Sequence, residues 1–361
     1  MKARTFLMAL PLISCFALPV VCAAGQDVPG DKANLRAPVD TLGLWKVWDD
    51  ARTELVTFGS YQRREDSTGP LIRVYNPLSG ERRSIDVFTD FPNASFIGVD
   101  GFAVGPNGSI LLACEIGGIT SERILLYDKN SALIRNLSAA PYIVHAVAID
   151  AESNIYVLEK DEYENSSDEA RPLIVKYDSY GKITQEMLSR SLFSRFFDPT
   201  DARIGDSILS PSFVGSNSLL TVNAKEIEVY LPAAGAIIAL DQSGNIQRRV
   251  DAAEGLSEFT RTRGYKNLQV TSNYFSPTGD LWLEGFISGP LEASAASATW
   301  TRFVVRMTPE GQLDTVYEHT MQGLKDGIPL RRLIGFTQSN EPVAYSVGDK
   351  AQTVLIQKNP Y

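Results

Sequence analysis

The sequence predicts an all-β protein: a six-bladed β-propeller of four-stranded antiparallel blades, closed into a ring by an N-terminal strand. Two observations lead to this prediction. Short apolar runs separated by turn residues recur along the chain at intervals of roughly 45 to 65 residues. Each repeat also has the same internal order, which is strand, tight turn, strand, longer polar connection, strand, tight turn and a weaker last strand.

Four of the repeats are clear in the sequence. They begin with "GFAVGPNGSILLACEI", "HAVAIDAESNIYVLEK", "SLLTVNAKEIEVY" and "NYFSPTGDLWLEGF". Their last turns read "YDKNSAL", "YDSYGKI", "LDQSGNI" and "MTPEGQL". Asp, Asn, Pro and Gly at such places favour tight reversals between antiparallel strands. We therefore interpret one repeat as one blade and label its strands a to d.

Two weaker repeats complete the ring. "LWKVWDDARTELVTF" begins the first blade, and "RRLIGFTQSNEPVAYSV" begins a last blade that supplies only strands a to c. An open edge strand is a liability, because it can pair with other chains. We therefore expect a strand within residues 34–44 to complete the last blade. The predicted domains are residues 25–44, an N-terminal segment with the closing strand, and residues 45–361, the propeller.

The first residues predict export. "MKARTFLMALPLISCFALPVVCAAGQ" has a basic start, an apolar stretch and then small residues, the layout of a secretory signal peptide over residues 1–24. An uncleaved anchor helix is the first alternative, disfavoured because Pro11 and Pro19 interrupt the apolar run. The second is a lipoprotein signal that leaves the chain anchored at Cys15. We expect a periplasmic or extracellular monomer with no transmembrane segment in the mature chain.

Charge and cysteine content exclude some classes of partner and fold. The chain carries 34 Lys and Arg against 43 Asp and Glu, a net charge of −9. Because phosphate backbones are bound by clustered cations, we expect no nucleic-acid partner. Of three cysteines only Cys114 lies outside the predicted signal peptide, so no internal disulfide is expected. We interpret Cys114 as a buried apolar residue.

Histidine content excludes the commonest metal sites. Only His145 and His319 are present, too few for a multi-histidine centre, and no cysteine pair could hold zinc. The acidic run "DEYENSSDEA", residues 161–170, offers oxygen ligands for calcium, but it lacks the spacing of an EF-hand loop. A solvated acidic loop is the favoured interpretation. We expect no cofactor, with a divalent cation bound in the channel as the alternative.

Loop lengths predict which face of the disc binds. In a propeller the a–b and c–d turns share one face, and the b–c and d–a connections share the other, which we call the loop-rich face. The predicted long stretches fall on the loop-rich face, among them "KDEYENSSDEARP", "AKEIEVYLPAAG" and "EGLSEFTRTRGYKN". "RSLFSRFF" has helix-like spacing and predicts a short helix there. Because long loops on rigid scaffolds usually carry binding, we expect function on this face.

Candidate binding residues follow from this assignment. The side chains with suitable chemistry on the loop-rich face are Arg123, His145, Tyr163, Arg171, Arg263, Tyr265 and Arg331. Arginine can hold an anionic group with two parallel hydrogen bonds, and tyrosine adds a flat face with a polar tip. A basic mouth in an acidic body would attract a small anionic molecule. Alternatively, the arginines pair with carboxylates between blades and His145 only lines the channel.

The pattern resembles the six-bladed propellers of the NHL-repeat type. The resemblance lies in "GFAVGPNGSILLACE…RILLYDKNSALI" and "HAVAIDAESNIYVLEK…LIVKYDSYGKI", and it implies a fold rather than an activity. We expect an exported binding module that engages a small anionic ligand or a protein through its loop-rich face, without catalysis. The alternative is a metal-dependent propeller enzyme, a lactonase-like hydrolase or a lyase, working from the central channel.

Overall fold

The structure is a computed structural model. It describes residues 35–38, 45–65, 69–159, 172–189, 191–192, 218–263, 267–288, 299–322, 332–347 and 353–361. Within these ranges the strands form six antiparallel sheets, one for each blade of a ring. The prediction of a six-bladed propeller is therefore confirmed.

The first three blades follow the chain in order, each written from strand a to strand d. Blade 1 consists of β2 (Trp45–Asp49), β3 (Glu54–Phe58), β5 (Ile72–Tyr75) and β6 (Arg82–Ile85). Blade 2 consists of β7 (Phe96–Val104), β8 (Ile110–Ile116), β9 (Arg123–Tyr127) and β10 (Leu133–Ser138). Blade 3 consists of β11 (Val144–Ile149), β12 (Ile155–Glu159), β13 (Pro172–Tyr177) and β14 (Ile183–Ser189).

The last three blades continue in the same way, and the N-terminal strand closes the ring. Blade 4 consists of β15 (Leu219–Val222), β16 (Glu226–Leu231), β17 (Ala236–Asp241) and β18 (Ile246–Asp251). Blade 5 consists of β19 (Asn267–Phe275), β20 (Leu281–Ser288), β21 (Thr299–Met307) and β22 (Leu313–Gln322). Blade 6 consists of β23 (Arg332–Phe336), β24 (Pro342–Val347), β25 (Thr353–Lys358) and β1 (Leu35–Pro38).

The closing strand is as predicted. β1 pairs antiparallel with β25, from Leu35 opposite Ile356 to Pro38 opposite Thr353. Ala37 is buried in the core of blade 6, whereas its neighbour Arg36 is exposed. This alternation shows that β1 contributes one face to the core, as an ordinary strand d does.

The apolar core is divided among the junctions between blades. One cluster of buried side chains lies at each junction around the ring, and the last joins blade 6 to blade 1 through Ala37, Ile334 and Trp48. Both faces of each blade are thus buried against neighbours. This explains the nearly continuous apolar runs of strands b and c.

Aspartates set the c–d turns that mark the repeat. Asp128 Oδ1 accepts hydrogen bonds from the backbone N–H groups of Asn130 and Ala132, at 2.8 and 2.9 Å. Asp178 and Asp241 accept equivalent bonds in blades 3 and 4. These backbone bonds hold the pKa of Asp128 and Asp178 below the usual range, and the side chain of Asn245, followed by the backbone bonds, does so for Asp241. The turns are thus specified locally, by a residue that caps its own reversal.

The face that carries the short turns also joins neighbouring blades. Arg83 of β6 donates to the carbonyl oxygen of Gly108 in the a–b turn of blade 2, at 3.0 Å. Arg135 of β10 donates in the same way to Ser153 of blade 3, at 3.0 Å. This face therefore has a structural role at these junctions.

Two α-helices are described, and both lie in d–a connections. α1 (Val87–Asp90) follows blade 1 and α2 (Ala252–Thr262) follows blade 4. Each begins at an aspartate, Asp86 or Asp251, whose side chain accepts hydrogen bonds from the first backbone N–H groups. None of the described helices is long and apolar enough to cross a membrane. The predicted helix "RSLFSRFF" lies almost entirely outside the described residues.

One predicted long connection was wrong. "AKEIEVYLPAAG" is mostly β16, and its b–c connection is only the short turn Pro232–Ala234 followed by Gly235 at φ 56°. Ile227 and Val229 face the junction with blade 3, while Tyr230 faces blade 5. Both faces of this strand are buried, including Glu228 at 1% exposure, so its polar residues do not mark a loop.

An additional strand lies beside the channel. β4 (Tyr61–Arg63) belongs to the b–c connection of blade 1, yet it pairs with β7, strand a of blade 2. Blade 2 is therefore a five-stranded sheet whose innermost strand comes from its neighbour. This insertion brings part of a loop from blade 1 to the centre of the ring.

Candidate functional site

Four strands a carry a β-bulge in their pairing with strand b, and in β23 the extra residue is the apolar Ile334. In β7, β11 and β19 the pairing with strand b shifts around one extra residue, which is Asp100, His145 and Thr271 respectively. Asp100 is exposed, and the other two are half-buried. A bulge leaves its extra residue out of the ladder and changes the direction of the chain. In three of these four strands the extra residue beside the channel is thus polar, although the strand sequences are mainly apolar.

Two cations lie together where blade 6 meets blade 1. Lys46, the second residue of β2, is only 8% exposed, and its Nζ lies 4.6 Å from the centroid of the Tyr345 ring. Arg332 opens β23, opposite Tyr345 in the ladder, and is exposed. Because both cations begin innermost strands, they lie at the channel end on the loop-rich face. We call Lys46, Arg332 and Tyr345 the cationic mouth.

The electrostatics of the cationic mouth favour a negative ligand. Burial, and after it the charge of Arg332, lower the pKa of Lys46 from 10.5 to about 8. The two positive charges therefore repel each other, in a place where water screens charge poorly. An anion placed beside Arg332 would offset both charges. Functional sites often contain groups with perturbed pKa values, and Lys46 is such a group.

A buried ion pair fixes β23 beside this mouth. Glu284 and Arg302 are each 2% exposed. Glu284 accepts hydrogen bonds from Arg302 Nε at 3.1 Å, from Ser272 Oγ at 3.0 Å and from the backbone N–H of Leu333 at 2.9 Å. Leu333 belongs to blade 6 and follows Arg332 directly. The carboxylate thus joins blade 5 to blade 6 at the residue that positions the exposed arginine.

Two half-exposed aromatic rings lie on the loop-rich face at the junction of blades 1 and 2. Trp45 is 49% exposed and stacks on Phe58, with centroids 6.5 Å apart, and Phe58 stacks on Phe102 at 4.0 Å. Tyr61, in β4, is 53% exposed and stacks on Phe96 at 5.6 Å. Each exposed ring is therefore held by a second ring behind it.

Replacing Lys46 by methionine is expected to raise the free energy of unfolding at pH 7, by up to ~3 kcal/mol. Below pH about 8 the ammonium is charged in both states, so its burial opposes folding. From pH about 8 to 10.5 only the unfolded chain keeps the proton, and the native protein gains stability as the penalty disappears. The advantage of the variant should therefore shrink over this window. Urea unfolding at several pH values measures it.

A matched control for that measurement is Lys225→Met, because Lys225 is exposed in the a–b turn of blade 4. Its effect on the free energy of unfolding should stay within ~0.5 kcal/mol at every pH. If Lys46→Met were no more stable than the wild-type protein at pH 7, burial of the Lys46 ammonium would not destabilise the folded protein.

Three predicted binding residues fall within the described residues, at different radial positions. His145 lies in the innermost strand of blade 3, whereas Arg123 begins β9, a strand c. Arg263 follows α2 directly and pairs with Glu318 of β22 at 2.9 Å, with its guanidinium 3.9 Å from the centroid of the Phe259 ring. Arg263 thus joins the helix after blade 4 to blade 5. This is the pairing with a carboxylate that was the alternative to ligand binding for the predicted arginines. The structure does not bring the three residues together.

The other predicted binding residues lie outside the described residues. These are Tyr163, Arg171, Tyr265 and Arg331. The acidic run at residues 161–170 also lies outside them, so its interpretation as a solvated loop or a calcium site stays a prediction.

The sequence reasoning missed Lys46 and the pair of Glu284 and Arg302. Each stands within an otherwise apolar strand, in "WKVW", "LWLEGF" and "TRFVV". A charge inside a two-sided buried strand must be paired or functional, because burying it alone is costly. That rule, applied to strands a to c, would have found all three residues.

Metal and thiol chemistry find little support among the described residues. Within these ranges no group of three or more His, Cys, Asp or Glu side chains is placed to hold a metal ion. Cys114 is fully buried in β8, and burial raises the pKa of its thiol well above the usual range. The interpretation of Cys114 as a buried apolar residue agrees with this environment.

Comparisons with known proteins assign no family. No family model matches the chain, and no curated protein matches it. The resemblance to NHL-type propellers therefore stays a resemblance.

Solved structures with a similar shape exist at low sequence identity. A Bacteroides vulgatus member of the DUF4221 family has a TM-score of 0.48 at 12% identity, covering 91% of this chain and 96% of its own. A Bacteroides fragilis protein provisionally named as exported has 0.49 at 11%, covering 93% and 97%. A streptogramin B lyase has 0.43 at 11%, covering 87% and 93%. At such identities no activity can be transferred.

Proposed function

We propose that the protein is an exported, non-catalytic binding module that takes a small anionic ligand at the cationic mouth. The observation that carries the proposal is the pair of Lys46 and Arg332, two like charges held side by side at the channel entrance. The chain has a net charge of −9, and an acidic surface repels anions. A local cationic site in such a surface is therefore selective as well as attractive.

The two cations have different roles in this proposal. Arg332 is exposed, so its guanidinium makes the direct hydrogen bonds, two in parallel where the ligand presents a carboxylate or phosphate group. Lys46 is nearly covered and contributes mainly its charge, at a site where the local dielectric is low. Binding of an anion would also raise the pKa of Lys46. Affinity should therefore fall as the pH rises above about 8.

Isothermal titration calorimetry with three anions tests the proposal: inorganic phosphate, citrate and glucuronate, with glucose as the neutral probe. At least one anion should bind, more tightly at low ionic strength. Arg332→Gln and Lys46→Met should each weaken that binding about tenfold or more, which corresponds to the loss of one charge-assisted interaction.

Two variants serve as matched controls. Arg82→Gln removes an exposed arginine from the outer strand of blade 1, and Lys225→Met removes an exposed lysine from the opposite face. Both should bind as the wild-type protein does. The proposal is wrong if none of the three anions binds, or if the mouth variants bind them unchanged.

A further inference from the structure

The two exposed rings next to the cationic mouth have no structural explanation in the core. Trp45 and Tyr61 each leave about half of a large ring in solvent, although aromatic rings of this size favour burial. Each ring packs against a second ring, since Trp45 stacks on Phe58 and Tyr61 stacks on Phe96. A rigid, exposed, flat aromatic surface on the loop-rich face is suited to stacking against a ligand.

The pairing of β4 with β7 sets the position of Tyr61. Tyr61 lies opposite Gly98 in the pairing of β4 with β7. β4 itself is an insertion from blade 1 beside the channel. The insertion therefore places this ring on the innermost strand of blade 2.

The rings are continuous with the cationic mouth. Trp45 and Lys46 are consecutive in β2, so their side chains leave opposite faces of the strand. Lys46 lies toward Tyr345 of blade 6, and Trp45 lies toward Phe102 of blade 2 through Phe58. A ligand that contacts both sides must extend across the inner edge of β2. This favours an extended molecule over a single small ion.

We propose that the ligand is an acidic saccharide of two or more rings. Its sugar rings would stack their C–H faces on Trp45 and Tyr61, and one carboxylate would bind Arg332 beside Lys46. The inference rests on the proposed function, since the carboxylate uses the same two cations. Flat aromatic faces and a cationic group at one end match a chain of uronic acid units, which combines apolar ring faces with regularly spaced negative charge.

The test compares trigalacturonate with its fully methyl-esterified form, by calorimetry on the wild-type protein and on single variants. Wild-type protein should bind the free acid at least tenfold more tightly than the ester. Trp45→Ala and Tyr61→Ala should each weaken binding of the free acid about tenfold, and Trp45→Phe should retain most of it. Tyr180→Ala removes a ring that is 90% exposed on the opposite face and should bind normally.

The outcomes separate this inference from the proposed function. If citrate or phosphate binds through Arg332 but trigalacturonate does not bind, the saccharide inference is overturned and the anionic site stands. The same holds if both ring variants bind trigalacturonate unchanged, or if the ester binds as well as the acid. If trigalacturonate binds independently of Arg332 and Lys46, the saccharide inference is overturned, and the anionic site is decided by the titrations with phosphate, citrate and glucuronate. Melting temperatures of Trp45→Ala and Tyr61→Ala should match the wild-type value, which shows that any lost binding is not lost folding.

Discussion

Replacing Glu284 by alanine is expected to lower the free energy of unfolding by about 3–5 kcal/mol, one of the largest effects of any single substitution in the protein. The change removes the carboxylate that accepts hydrogen bonds from Arg302, Ser272 and Leu333. Arg302 then loses this carboxylate while its charge stays at 2% exposure. Urea unfolding monitored by circular dichroism measures the loss. The junction of blades 5 and 6 should be the first to open.

The control for Glu284→Ala is the same substitution in an exposed ion pair. Glu258 and Arg261 pair along α2 with side chains 55% and 74% exposed, so Glu258→Ala should cost less than ~1 kcal/mol. The double variant Glu284→Leu, Arg302→Met should recover much of the loss, because it removes both charges and keeps similar volume. A loss below ~1 kcal/mol in Glu284→Ala would show that the pair does not hold the blades together.

The repeat could be predicted from the sequence because its signals are local. Asp128, Asp178 and Asp241 cap their own turns within a few residues, so their positions mark the c–d reversals without any tertiary information. The closing strand followed from counting, since the last blade lacked one strand and edges are unfavourable. By contrast, β16 was misplaced and β4 was missed. Their pairing depends on neighbouring blades, which a local pattern cannot show.

The candidate site could be predicted only as a face. The spacing of turns assigned residues to the loop-rich side, but it carried no information on radial position. Arg263 and its partner Glu318 are 55 residues apart, and nothing local indicated their pairing. Lys46 and Arg332 are farther apart still and meet only because the ring closes between blades 6 and 1. The site therefore depends on closure, which is a property of the whole chain.

Deletion of residues 25–44 is expected to be as damaging as the loss of Glu284 or more so, because it removes β1. β25 would lose its partner from Thr353 to Ile356 and become an open edge, and the core around Ile334 would be exposed to water. We expect a loss of ~3 kcal/mol or more, with association of the unfolding chains. Thermal unfolding and size-exclusion chromatography measure both effects.

A pair of substitutions in β1 isolates its pairing and packing from the other residues deleted. Ala37 is 1% exposed and Arg36 is exposed, so consecutive positions sample the two faces of one strand. Ala37→Glu should destabilise the protein nearly as much as the deletion, because it buries a charge without a partner. Arg36→Glu should melt within a few degrees of the wild-type protein. If Ala37→Glu also melts there, β1 does not close the ring, and blade 6 is stable with three strands. Because Arg332 belongs to the same blade, Ala37→Glu should also weaken anion binding wherever it loosens the blade, whereas Arg36→Glu should not.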